Sequence, residues 1–189
     1  ADIVMHSATK YLGGHSDVIQ GALAVKDEAL REQLYFIQKS SGAVPGPMDC
    51  FLVLRGIKTL GLRMQAHCAN GEKVANWLRN HPKVKKVYWP GFSDHPGHAI
   101  AARQMADFGG MVSFEVASRD EAIRIVEATR VFFLAESLGG VESLIEVPAP
   151  MTHASVAGSP LEVPETLIRL SVGIEHPDDL VRDLERALG

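Results

Sequence analysis

MVSFEVASRDEAIRIVEAT, residues 111–129, is the stretch from which the fold is read. Val112, Phe114 and Val116 alternate with Ser113 and Glu115, a period of two that puts one face of a strand on a core and the other away from it. Ser118 precedes Glu121 by three residues, the spacing of a capping box, and Ile123 and Val126 carry the expected helix to about Thr129. A strand therefore runs straight into a capped helix. Further out, the alternation returns in Leu167 to Val172, where Ile168, Leu170 and Val172 oppose Arg169 and Ser171. Lys83 to Tyr88, Val131 to Leu134 and Ser143 to Val147 are shorter strand candidates. Gly97 to Asp107 reads as a helix stopped by Gly109-Gly110, and Leu180, Val181, Leu184 and Leu188 as a closing amphipathic helix. Together these predict a small α+β domain with a largely antiparallel sheet covered by helices.

Upstream the pattern changes. Asp2 to Met5 and Val18 to Val25 read as strands on either side of Ser7-Ala8-Thr9-Lys10, which places the lysine on the loop between them. Asp27 to Ser40 carries Leu30, Leu34 and Ile37 on one helical face, and Gly42 to Pro47 breaks it. From Pro47 to about Arg79 the spacing predicts one long, bent helix, a natural domain connector. The boundary is set near Leu54, giving residues 1–53 and 54–189. On that single helix Cys50 and Cys68 would lie about 27 Å apart, too far for a disulfide, which fits a reducing, cytoplasmic setting.

The 189 residues, 46% hydrophobic and 22% charged with a net charge of -4, exclude a disordered chain or a disulfide framework and argue against a nucleic-acid surface. No apolar run reaches the roughly 18 to 20 residues that span a bilayer. The start ADIVMHSATK has neither an initiator Met nor a secretory pattern and reads as a chain entered in mid-domain. Phosphate-loop, dinucleotide, zinc-protease, redox-dithiol and hydrolase-elbow motifs are missing. Asp94, His95 and His98 in SDHPGH read as a surface turn, and no metal site is expected.

Three positions carry possible chemistry. Lys10 follows two hydroxyls, Ser7 and Thr9, and precedes Gly13-Gly14. An amine of this kind attacks aldehydes once its proton is lost, and the hydroxyls can donate to a phosphate in the same pocket. Arg169 has a planar fork that clamps a carboxylate at two points, although a single strand arginine is by default a solvated charge. Glu136-Ser137 opens a glycine-rich turn, where sites tend to be built.

HSATKYLGGHSDV, GAVPGPMDCFLVLRGIKTL, LAESLGGVESLIEVPAPMTHASV and RLSVGIEHPDDLVRDLERAL, in that order, resemble the pyridoxal-phosphate enzymes of transsulfuration, the Cys/Met-metabolism family. The resemblance covers nearly the whole chain and is to the family's C-terminal half. It implies an α/β fold, the end of a fold-type I large domain followed by a smaller α+β domain. It implies pyridoxal 5'-phosphate as cofactor, with Lys10 bonding its aldehyde and later moving protons, and Ser7 and Thr9 holding its phosphate. Arg169 corresponds to the arginine that binds the substrate α-carboxylate, Ser137 to the serine beside it, and Glu136 to a position that tunes recognition of the distal end of the substrate. The wording is nearest the γ-lyases, which cleave cystathionine to cysteine, 2-oxobutanoate and ammonia, with hydrogen sulfide release as a side activity. γ-Synthases and β-lyases share much of it. The partners implied are an amino-acid substrate, the N-terminal half of the same enzyme and further copies in a cytoplasmic homotetramer. The family residues that stack on and pair with the cofactor ring precede the lysine and are not in this sequence. Taken alone the segment is expected to bind cofactor poorly, and a non-catalytic fragment is the alternative from another class.

Overall fold

Strands β1 (Ile3–Ser7) and β2 (Gly21–Val25) pair antiparallel, Ile3 opposite Val25 and Ser7 opposite Gly21, in a computed structural model that describes residues 1–189. Both lie in the first of two units, Ala1–Gly61 and Leu62–Gly189. Helix α1 (Glu28–Ser41) starts where the Asp27 carboxylate accepts the Leu30 N–H at 2.7 Å. Helix α2 (Pro47–Ile57) opens on a proline, which has no N–H to leave unpaired, and Asp49 accepts the Gly46 N–H at 3.1 Å.

The single helix expected from Pro47 to Arg79 is two helices, α2 and α3 (Leu60–Arg79). At the junction the Lys58 and Thr59 N–H groups reach back three residues rather than four, to Arg55 and Gly56, at 3.3 and 3.2 Å. The Thr59 hydroxyl also donates to the Gly56 carbonyl. These bonds tighten the last turn and end the ladder without a proline. Cys50 is on α2 and Cys68 on α3, both as free thiols, so the single-helix separation does not apply.

The second unit holds a five-stranded sheet. Its strands are β3 (Lys86–Tyr88), β4 (Met111–Glu115), β5 (Phe133–Leu134), β6 (Leu144–Glu146) and β7 (Leu167–Ser171), in the spatial order β3-β4-β7-β6-β5. Every neighbouring pair is antiparallel except β5 with β6. Val112, Phe114, Val116, Ile168, Leu170 and Val172 are fully buried and pack in one core with Leu78 of α3, Ile125 of α5 (Arg119–Ala128) and Leu184 of α7 (Pro177–Leu188). Ser118 caps α5 as expected, accepting the Glu121 N–H at 3.2 Å, while Glu121 reaches back to the Ala117 N–H. The buried face of α5 is Ala122, Ile125 and Val126 rather than one centred on Ile123.

The expected strand from Val131 shortens to Phe133–Leu134 because the N–H groups before it are taken. Arg130, Val131 and Phe132 all donate to the Asp183 carboxylate of α7, at 2.7 to 3.0 Å, and Arg186 pairs with the same group. Asp183 is 2% exposed, so a carboxylate in the core replaces the start of a strand ladder. Helices α4 (His98–Gln104) and α6 (Pro148–Met151) complete the unit. No helix is long and apolar enough to cross a membrane.

Candidate active site

Lys10 sits in a short π-type turn, Ala8–Leu12, immediately after β1. Ala8 is fully buried against Val18 and Val53, with Leu12 and Leu52 packed around them, which anchors the turn on α2. Lys10 leaves the helical path with φ −88° and ψ −130°, and the turn closes through Gly13 N–H to Ala8 O and Gly14 N–H to Lys10 O, both 2.8 Å. Gly56 of α2 is what permits so close a support: a Cβ there would lie 2.3 Å from the Gly13 carbonyl oxygen. A residue in the last turn of a helix thus fixes the backbone that presents the lysine.

Around Lys10, Ser7 is exposed and Thr9 half-buried. Thr9 and Gln20 bond twice, Thr9 N–H to Gln20 O at 3.2 Å and Gln20 N–H to Thr9 Oγ1 at 3.0 Å. Thr9 Oγ1 is therefore held as an acceptor, and its own hydrogen can be donated outward. An amine preceded by two hydroxyls is a donor set that suits a phosphate-bearing aldehyde: the oxygens of the phosphate accept, and the amine reacts with the carbonyl carbon.

The other three candidates lie in the second unit. Arg169 is on the face of β7 opposite the one that packs on α3, α5 and α7, with Ser113 of β4 on one side and Glu146 of β6 on the other. Its Nη2 donates to the Ser137 carbonyl at 3.0 Å and lies 3.0 Å from Glu146 Oε1. Ser137 has φ +104°, a conformation that non-glycine residues avoid at a cost of about 1–3 kcal/mol and that clusters at ligand sites. The loop is tied again by Gly139 N–H to Ser171 Oγ at 2.9 Å and Ile174 N–H to Val141 O at 2.9 Å. Behind it, Ser143 donates through N–H and hydroxyl to the Glu175 carboxylate, whose backbone carbonyl accepts from Asn70. Glu136, one residue before the constrained serine, is exposed.

Ser137 and Arg169 are thus brought together, Ser7 and Thr9 lie just before Lys10, and Glu136 adjoins the arginine loop. Sequence reasoning missed Glu146, 1% exposed. Its signal was a charge inside the apolar run Leu144-Ile145-Glu146-Val147. Asp94, His95 and His98 are each engaged locally: Asp94 pairs with Arg79 at 2.8 Å, His95 Nδ1 accepts the Gly97 N–H, and His98 Nδ1 lies 2.8 Å from Pro90 O.

Over residues 1–189 the chain matches the model of the Cys/Met metabolism PLP-dependent enzyme family. It is 61% identical over 190 residues to a cystathionine gamma-synthase of Mycobacterium tuberculosis, covering 100% of this chain and 49% of the relative. It is 52% identical over 191 residues to a cystathionine gamma-lyase of Bacillus subtilis, covering 100% and 50%. The crystal structure of cystathionine gamma synthase from Xanthomonas oryzae pv. oryzae in complex with cystathionine superposes with a TM-score of 0.93 at 47% identity, over 100% of this chain and 50% of that one. The chain spans about half the length of the curated relatives it matches.

Proposed function

Because the chain belongs to the Cys/Met metabolism PLP-dependent enzyme family, a family of fold-type I enzymes, we propose that its parent protein works on the γ-carbon–sulfur bond of cystathionine, cleaving it to cysteine, 2-oxobutanoate and ammonia. The observation that carries this reading is the family match over residues 1–189 combined with intact chemistry in both parts of the chain, Lys10 directly after Ser7 and Thr9, and Arg169 against the Ser137 loop. Residues 1–53 end the cofactor domain in this reading, and residues 54–189 form the small domain.

Pyridoxal phosphate, when bound, withdraws electrons from the α carbon of an amino acid attached to it. The chain's own residues do the rest. Ser7 and Thr9 would hold its phosphate by donating hydrogen bonds, and the Lys10 amine would hold its aldehyde carbon. With its amine free, Lys10 would be the base that takes the α proton and returns protons along the substrate. Arg169 grips the α-carboxylate and so decides which bond at the α carbon is oriented to break, with Ser137 beside it helping to place the carboxylate. Glu136 attracts the ammonium at the far end of cystathionine.

Synthesis of cystathionine from an activated homoserine and cysteine is the second reading, favoured by the 61% identity to a γ-synthase against 52% to a γ-lyase. β-Lyase activity is a further alternative, in keeping with the 55% identity to a cystathionine beta-lyase of Lactococcus lactis. The partner proposed is the N-terminal half of the same enzyme, within a homotetramer. Ile3, Val4, Met5 and Leu23 of the β1–β2 pair are all exposed, as expected of strands covered on both faces by further protein. With protein containing both halves, 2-oxobutanoate release from cystathionine is expected to exceed cystathionine formation. Appreciable synthesis without cleavage overturns the lyase reading.

A further inference from the structure

We propose that Glu146 is the positioning residue for Arg169: it holds the guanidinium by one nitrogen so that the remaining donors face an incoming carboxylate in a fixed orientation. This rests on the reading of Arg169 as the carboxylate clamp. Glu146 and Arg169 are direct cross-strand partners on adjacent strands β6 and β7, on the face away from the helical core. Such pairs sit about 4.5–5.5 Å apart at Cβ, close enough for their side chains to be mutually fixed. Glu146 is 1% exposed whereas the Arg169 side chain is 22% exposed, so the carboxylate is the buried end of the pair and the guanidinium the end that reaches outward.

The bonding is one-sided. Arg169 Nη2 serves both Glu146 Oε1 and the Ser137 carbonyl, each at 3.0 Å, and Nε and Nη1 make no bond within the chain. A guanidinium has five N–H donors in a planar fork, and two carboxylates cannot use the same edge. Both bidentate edges of the guanidinium include Nη2, so anchoring there leaves the separate N–H donors of Nε and Nη1 to meet a ligand. Glu146 Oε1 is steadied in turn by the Thr152 hydroxyl at 3.3 Å, while Oε2 is buried with no partner. A carboxylate that served only to stabilise the sheet would be expected to fill both oxygens. An orphaned oxygen on a buried carboxylate calls for an explanation, and a carboxylate placed to hold Arg169 supplies one.

The hypothesis separates position from charge. Glu146→Asp keeps the charge and withdraws the carboxylate by one methylene; Glu146→Gln keeps the reach and an acceptor oxygen and removes the charge. Binding of 4-(methylthio)butanoate, which has a carboxylate but no amine to react with the cofactor, would be measured by calorimetry on the holoenzyme containing both halves, with the corresponding carboxamide as control. We expect Glu146→Asp to weaken the carboxylate at least tenfold, Glu146→Gln to stay within threefold of the parent, and neither to move the carboxamide. In an Arg169→Lys background the Asp substitution should add less than twofold, and for cystathionine turnover it should raise KM more than it lowers kcat. Unchanged binding in Glu146→Asp, an equal loss in Glu146→Gln, or a loss shared by the carboxamide overturns the assignment. If Arg169→Lys itself leaves carboxylate binding unchanged, the clamp reading fails, and the role of Glu146 with it.

Discussion

Glu136 stands exposed one residue before the constrained Ser137, at the edge of the loop that Arg169 holds. A rim carboxylate contributes to the choice of partner through charge rather than packing. Glu136→Val is therefore expected to lower kcat/KM for cystathionine about tenfold, roughly the 1.4 kcal/mol of one charge-assisted contact, and to leave a methionine-like substrate unaffected. Steady-state kinetics on both substrates check this, and an unchanged ratio removes Glu136 from the specificity argument. Lys10, Ser7, Thr9 and Ser137 stood out as candidates because they lie in runs of unusual composition, a lysine preceded by two hydroxyls or a glycine-rich turn. Arg169, a lone charge on an alternating strand, took its role from the family resemblance. Glu146 did not stand out. A single carboxylate in a short strand reads as a solvated charge, and only the pairing of β6 with β7 shows that it faces Arg169.

At the scale of elements, Asp183 sets where β5 begins and ties the segment before it to α7. Asp183→Ala leaves three N–H groups without their acceptor and Arg186 without its carboxylate, and should destabilise the unit by roughly 3 kcal/mol. For a unit of this size that corresponds to a fall in melting temperature of about 10 °C, with a smaller fall for Asp183→Asn, which keeps one acceptor oxygen. A melting curve unmoved by the alanine substitution contradicts the role given to Asp183. The strands β4 and β7 and the capped start of α5 were readable from period and spacing, since local sequence decides both. The break between α2 and α3 was not, because it comes from three-residue hydrogen bonds at Lys58 and Thr59 rather than from a helix-breaking residue. The shortening of β5 was also hidden, because its competitor for N–H groups lies about 50 residues downstream.

For the molecule as a whole, the second unit carries a built-in sensitivity to acid. His67 is fully buried, and its Nδ1 donates to the Val172 carbonyl at 2.7 Å. Burial pushes the imidazole pKa below its ordinary 6.5, outweighing that hydrogen bond. Above pH 6.5 the ring is neutral in both states and its contribution is fully present. As pH falls from there towards the depressed folded value, the unfolded chain takes up a proton that the folded one refuses, and stability is lost. The melting temperature should thus decline between pH 7 and 5.5, and His67→Gln should flatten that decline; a parallel curve for the variant would exclude His67 as its source. The overall architecture followed from the alternation of strands and helices, but residues 1–61 expose apolar strand faces that only further protein would cover, which no local pattern reveals. The central claim, that this chain supplies the lysine to a site completed by the other half of the enzyme, is tested most directly by borohydride reduction of the assembled protein followed by mass mapping of its peptides. The pyridoxyl group should be found on Lys10 and be lost in Lys10→Ala; a pyridoxyl group on another lysine of the parent protein, or on none, would contradict it.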